Sequence, residues 1–194
     1  SINNVLPQNV SIWNGDYEIE KYADFGADGW GIDGTKRIWT ATQLGYMQTD
    51  EQNDVQLRSD IDLNNEEWPG IDLGSATTFT GLLDETKADA YYQYKTISNV
   101  NLTNPGSQKY AGFFSIANAE LTVNNINFNG VKTSLDMVST EAPTETNKAG
   151  DPLPKVNMFG IGAVVGKGRL GIPISVSATL VGGKFGSNGE EKII

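Results

Sequence analysis

Apolar and polar residues alternate along three stretches of the chain, Val55–Leu63, Thr96–Leu102 and Leu121–Phe128. A period of two places every second side chain on one face of an extended strand, so each stretch predicts a half-buried β-strand. In the first, Val55, Leu57, Ile61 and Leu63 share one face, while Gln56, Arg58, Asp60 and Asp62 share the other. Gly, Asn, Asp or Pro stand close to every stretch and turn the chain between them. The pattern predicts stacked β-rungs within one domain covering 1–194, since a chain of this length suits a single core. Residues 1–54 form an N-terminal cap with one short helix, and 55–183 form the rungs, interrupted by loops at 85–95 and 139–155.

The cap region carries Trp13, Tyr17, Tyr22, Phe25 and Trp30 among Asn14-Gly15, Asp28-Gly29 and Asp33-Gly34, which are turn dipeptides. Their spacing fits no helix face and predicts an irregular lid that seals the apolar top of the stack. The rival reading exposes some of these rings as sugar-stacking platforms. Thr40 and Gln43 have capping-box spacing, with Leu44 and Met47 following at i, i+3, so a helix is predicted from Ala41 to Thr49, packed across the open end. Beyond 155, Phe159–Gly168 and Ile172–Val181 return to small and β-branched residues and read as the last rungs. Asn99, Asn101, Asn124, Asn125, Asn127 and Asn129 read as corner residues that tolerate left-handed backbone.

Composition narrows the chemistry. The net charge is −10 and the pI near 4.4, with no Lys/Arg cluster visible along the chain, so nucleic acid is not expected as a partner. An acidic surface suits divalent cations, and Asp60 with Asp62, side by side on one strand face, forms a candidate Ca²⁺ site. The plainer reading places these acids outward to discourage edge pairing. Cysteine is absent, which removes disulfide and thiol chemistry, and histidine is absent, which removes Ser-His-Asp and Cys-His catalysis and His-based zinc sites. No apolar run reaches the ~18 residues of a membrane span, and Ser1-Ile-Asn-Asn lacks the features of a signal peptide, so any export signal is expected to precede this numbering.

The glycines from Gly160 to Gly168 fit neither the dinucleotide fingerprint nor the phosphate loop, and they read instead as sites of close rung-to-rung contact. Enzymatic work would fall to carboxylates, with Asp60, Asp62, Asp72 and Asp84 as the pool and Arg37, Arg58 and Arg169 as the guanidinium groups. Nothing in the spacing singles out a pair. The Tyr-rich excursion with Tyr91, Tyr92 and Tyr94 is the feature least accounted for by packing, and with Trp68 it supplies the candidate binding residues.

The ordered set Ile38–Leu44, Val55–Leu63, Trp68-Pro69, Phe79-Thr-Gly81 with Asp84, Thr96–Val100 and Ala111–Phe114 resembles bacterial surface proteins of Bacteroidetes that carry GLUG-type repeats. Gly160–Gly166 followed by Ile174-Ser-Val-Ser resembles the GLUG motif itself. The resemblance spans roughly Gly34 to Gly183 and implies an all-β fold, a short right-handed parallel β-helix. It also implies export, an extracellular or cell-surface place, and an adhesin-like role in cell adhesion. The chain departs from the family pattern where Asp84 leads into the Tyr-bearing insertion instead of a tight turn. The expected function is therefore non-catalytic binding of a surface glycan or of a host or cell-envelope protein. The alternatives are a carbohydrate-active hydrolase or lyase using Asp carboxylates, and a structural segment of a larger surface protein. No cofactor is expected beyond a possible role for Ca²⁺.

Overall fold

Parallel pairing is what the alternation becomes. The computed structural model describes residues 10–16, 36–48, 54–84, 91–103, 108–186 and 191–192. The chain enters through β1 (Val10–Ile12), β2 (Lys36–Ile38) and helix α1 (Ala41–Tyr46). A first pass follows with β3 (Asp54–Leu57), β4 (Asp60–Asp62) and β5 (Ile71–Leu73). The next runs through β6 (Thr77–Thr80), the hairpin β7 (Leu82–Asp84) and β8 (Tyr91–Gln93), then β9 (Lys95–Ser98), β10 (Tyr110–Ala111) and β11 (Phe114–Ala117). A third takes β12 (Leu121–Asn129), β13 (Lys132–Thr133), the hairpin β14 (Glu145–Thr146) and β15 (Pro152–Leu153), then β16 (Gly160–Ile161) and β17 (Val165–Gly168). The last contains β18 (Ile174–Val181) and β19 (Gly183–Phe185), with β20 (Glu191–Lys192) folded back antiparallel.

Each pass lays its strands beside those of the pass before, in parallel. β12 is the long member: Leu121–Asn124 pairs with β6, Ile126–Asn129 pairs with β9, and β18 runs along both halves. The eight-stranded sheet is therefore ordered β1-β4-β9-β12-β6-β3-β2, with β18 on β12, and a second sheet stacks β17-β11-β5. β1 pairs with β4, so part of the expected irregular lid is a sheet strand. Trp13 follows it into the core, whereas Tyr17, Tyr22, Phe25 and Trp30 lie outside the described residues.

Register stacks like on like. Val55, Phe79, Val123 and Val176 form one column, and Ile61, Ile97, Phe128 and Leu180 another. Val55, Leu57, Ile61 and Leu63 are all buried, as their shared parity requires, although the stretch they occupy divides into β3 and β4 around Arg58-Ser59. Burial of each such side chain contributes roughly 1.5–3 kcal/mol. Aromatic rings connect the passes: Phe113 lies 5.2 Å from Trp68, 5.7 Å from Phe79, 4.9 Å from Phe114 and 5.2 Å from Phe128.

Corners are made by residues that accept left-handed backbone. Asn64, Asn65 and Asn99 (φ 56°, 58° and 57°), Gly130 and Gly182 turn the chain after β4, β9, β12 and β18, and Asn125 (φ 58°) bends β12 where its partner changes from β6 to β9. Of the asparagines expected at corners, Asn99 and Asn125 take this conformation, whereas Asn124, Asn127 and Asn129 belong to the extended parts of β12. Gly112 and Gly166 meet because neither has a side chain; a Cβ on Gly112 would stand 2.6 Å from the Gly166 amide nitrogen.

Helix α1 begins where predicted, and its capping box is complete: the Gln43 amide donates to the Thr40 hydroxyl, and Gln43 Oε1 accepts from the Thr40 amide. It ends at Tyr46 with Met47 as C-cap, and Leu44 and Met47 join the core. Of the 85–95 stretch expected as a loop, residues 85–90 lie outside the described residues, while Tyr91–Gln93 pairs antiparallel with Leu82–Asp84 and β9 already begins at Lys95. Within 139–155, also expected as a loop, the chain forms a short hairpin. Glu145–Thr146 pairs with Pro152–Leu153, and the Asn147 side-chain oxygen accepts from the amides of Ala149 and Asp151 to close the turn.

The corner at Gly81 admits no side chain, since a Cβ there would fall inside contact distance of the Asn125 and Gln93 carbonyl oxygens. Gly81→Ala is expected to lower the free energy of unfolding in urea by about 1–3 kcal/mol. Gly74→Ala, which faces open space, is expected to stay within about 0.5 kcal/mol of the unaltered protein.

Candidate functional site

The Tyr-bearing insertion leaves the stack at a fixed root. The Gly81 amide donates to the Asn124 carbonyl (3.0 Å), and the hairpin register sets Leu82 opposite Gln93, Leu83 opposite Tyr92 and Asp84 opposite Tyr91. Tyr94, the residue between this hairpin and β9, is 60% exposed. The backbone of Tyr91 and Tyr92 is placed in β8, while their side chains lie outside the described residues. Tyr94 is thus an open ring held at the junction of an antiparallel hairpin and a parallel ladder.

Trp68 goes elsewhere and is corrected from candidate platform to core residue. It is fully buried, stacks on Phe113 with an interplanar angle of 12° and meets Trp13 edge-on at 5.4 Å. Its Nε1 donates to the Phe113 carbonyl at 3.0 Å, which satisfies the indole's polar atom inside the protein. A ring with neither face free offers nothing for a ligand to stack on.

Asp60 and Asp62 do share one face of β4, and both are half-buried. Their oxygens serve the backbone. Asp60 Oδ1 accepts from the Thr96 amide (2.8 Å) in the next pass, and Asp62 Oδ1 accepts from the Asn64 amide (2.7 Å) and from Asn99 Nδ2 (2.8 Å). The pair therefore ties the β4 corner to the Asn99 corner of the next pass. No third His, Cys, Asp or Glu joins them in a metal-holding group among the described residues. Asp72 stands on β5, in a different sheet from Asp60 and Asp62, and the side chain of Asp84 lies outside the described residues.

A further surface assembles from residues that the alternation pattern did not single out. Pairing of β10 with β16 sets Tyr110 beside Gly160, and the Phe159 amide donates to the Lys109 carbonyl at 2.8 Å. The Tyr110 and Phe159 rings lie 6.1 Å apart at 45°. Lys167 Nζ sits 5.0 Å from the Tyr110 ring centroid and Lys109 Nζ 5.8 Å from that of Phe159. Phe159 is 60% exposed. In sequence Phe159 opens a stretch that reads as one of the last rungs, and only the strand register joins it to Tyr110.

The hairpin arm of β14 and β15 extends the same pass. Every residue from Ser139 to Pro154 is exposed apart from a half-buried Ser139, and the arm is held by the Ser139 amide donating to the Lys155 carbonyl and by a Lys155–Glu141 ion pair at 3.2 Å. Among the described residues no helix is long and apolar enough to cross a membrane. Comparison of the chain with family models, with curated proteins and with solved structures gave no match.

Two outcomes follow from this geometry. Asp62→Ala removes the acceptor of two hydrogen bonds and is expected to destabilise the fold by about 1–2 kcal/mol, while Ca²⁺ or a chelator leaves the unfolding midpoint unchanged; a midpoint raised by Ca²⁺ only when Asp62 is present would return the pair to metal binding. Asn147→Ala is expected to speed proteolytic nicking within 147–151 severalfold in a limited-digestion time course, with the rest of the chain resisting as before.

Proposed function

We propose that this chain is a non-catalytic, adhesin-like protein that works outside the cell or at its surface and binds a glycan or a protein partner there. In this reading the passes wind as a right-handed parallel β-helix, as the resemblance to GLUG-repeat surface proteins implies. Support for the hand comes from the connections β3 to β6, β6 to β12 and β12 to β18, each joining parallel neighbours in one sheet by a crossover. Such crossovers are right-handed in about 98% of cases, because a right-twisted strand returns to its sheet most easily that way.

The observation that carries the binding reading is Tyr94, an exposed ring at a root that the Gly81 corner holds in place. An exposed aromatic on a rigid support loses little side-chain entropy when a partner covers it, and its flat face suits the apolar side of a sugar. The commitment of Asp60 and Asp62 oxygens to backbone amides weighs against their use as a hydrolase or lyase pair.

One observation favours the structural-segment reading beside it. The outer edge of β18 pairs with no strand among the described residues, and Val176 and Val181 on it are exposed. An open parallel edge of this kind accepts a further strand. Its backbone donors and acceptors would continue the stack into another segment.

Incubation with plant, host and bacterial polysaccharides tests the main reading. Retention on a glycan with no sugar released, weakened about tenfold or more by Tyr94→Ala, is the expected result. Release of reducing ends or unsaturated sugars, abolished by Asp60→Asn or Asp62→Asn, would make the chain a hydrolase or lyase instead.

A further inference from the structure

Charge is distributed unevenly along this acidic chain. Residues 152–189 contain Lys155, Lys167, Arg169 and Lys184 and no Asp or Glu, so all 24 acidic residues lie elsewhere. Residues 108–119 likewise contain Lys109 and no acid. The fold brings these two segments together, because β10 pairs with β16 and β11 with β17. Lys109 and Lys167 are thereby gathered around the Tyr110 and Phe159 rings on a protein whose net charge is −10, while Asp72 of β5 joins the same sheet opposite Ile116, the residue that pairs with Lys167.

Tyr110, Phe159, Lys109 and Lys167 stand on this surface, and the backbone beneath them is adapted to it. Gly160 gives the Tyr110 ring its seat; a Cβ there would approach Tyr110 Cδ1 to 3.0 Å. Among the described residues the non-glycine positions in left-handed backbone are Asn64, Asn65, Asn99, Asn125 and Lys109. Asparagine tolerates that conformation through local hydrogen bonds. Lysine has no such device, yet Lys109 adopts φ 63°, and its ammonium lies over Phe159.

We infer that Tyr110, Phe159, Lys109 and Lys167 form a binding surface for an acidic saccharide, one whose sugar rings bear carboxylate or sulfate. The two rings supply flat apolar faces, and the two ammonium groups beside them supply the counter-charge. At exposed sites a cation over a ring is weakly held, so each lysine can move from its ring to an arriving anion at little cost. An acidic protein repels a polyanion over most of its surface, so contact is favoured where Lys109 and Lys167 stand beside the two rings. The surface is distinct from the Tyr94 root, and it adds a ligand class to the proposed role in glycan binding.

Binding to polygalacturonate, to heparin, to a neutral polysaccharide and to polyglutamate, measured at low and high salt on the full chain, tests this. The expected result is salt-sensitive binding to polygalacturonate or heparin, and which of the two binds separates carboxylate from sulfate recognition. The double variant Lys109→Gln/Lys167→Gln and the single variant Phe159→Ala should each weaken that binding about tenfold, while Lys148→Gln leaves it unchanged. Binding that Phe159→Ala does not weaken would reduce the effect to diffuse charge and overturn the proposal. Polyglutamate held as tightly as the saccharides, equal loss on Lys148→Gln, or no binding of either polyanion would overturn it too. Neutral glycan retained through Tyr94 while both polyanions are refused would overturn this proposal alone and leave the glycan-binding reading standing.

Discussion

Phe113 is the contact on which the packing depends. Its ring touches Trp68 from the pass before it, Phe79 and Phe114 from its own pass and Phe128 from the pass after. Trp68 carries the contact on to Trp13, and so to the N-terminal strand beside β4. Backbone ladders alone hold neighbouring strands, and they say little about how the sheets on different sides of the core are spaced. The rings fill that space, each pair adding about 0.5–1.5 kcal/mol beyond its buried area. The Phe113 carbonyl also accepts from Trp68 Nε1, so one residue ties the passes through both its ring and its backbone.

That packing constrains everything outside it. Once successive passes are held in register, the corners must superpose, and superposed corners leave no room for side chains or ordinary backbone. Gly81 against Asn125, Gly112 against Gly166, and the left-handed Asn64, Asn99, Gly130 and Gly182 are the consequence. Insertions can leave only from such corners or from the turns between sheets. The β7–β8 hairpin departs at Gly81, and the β14–β15 arm departs between β13 and β16. Both candidate surfaces inherit their rigidity from these exits: Tyr94 from the Gly81 corner, and Tyr110 with Phe159 from the β10–β16 pairing.

Much of this was legible in the residues. Alternation at Val55–Leu63 marks strands because parity and burial coincide there, Leu121–Phe128 does the same on each side of a slip at Asn125, and the Thr40–Gln43 box marks a helix start because its hydrogen bonds are local. Local signals failed where partners are distant. Trp68 looks available beside Pro69-Gly70, and its burial depends on Phe113, far along the chain. The 139–155 stretch shows no periodicity because its hairpin is short and exposed on both faces, so nothing apolar needs to alternate. Asp60 and Asp62 look like a pair for a ligand because their true partners, the Thr96 amide and Asn99, arrive from the next pass. The cationic ring surface was invisible for the same reason, although the absence of acids from 152–189 was there to be read.

Equilibrium unfolding of Phe113→Ala, followed at once by tryptophan fluorescence and far-ultraviolet circular dichroism, tests the account at its centre. If the rings hold the passes together, both signals lose stability in step, by about 3–5 kcal/mol, since Trp68 and the strands then unfold as one unit. A fluorescence change confined to the surroundings of Trp68, with the circular dichroism midpoint unmoved, would contradict it and leave the ladders as the sole support of the stack.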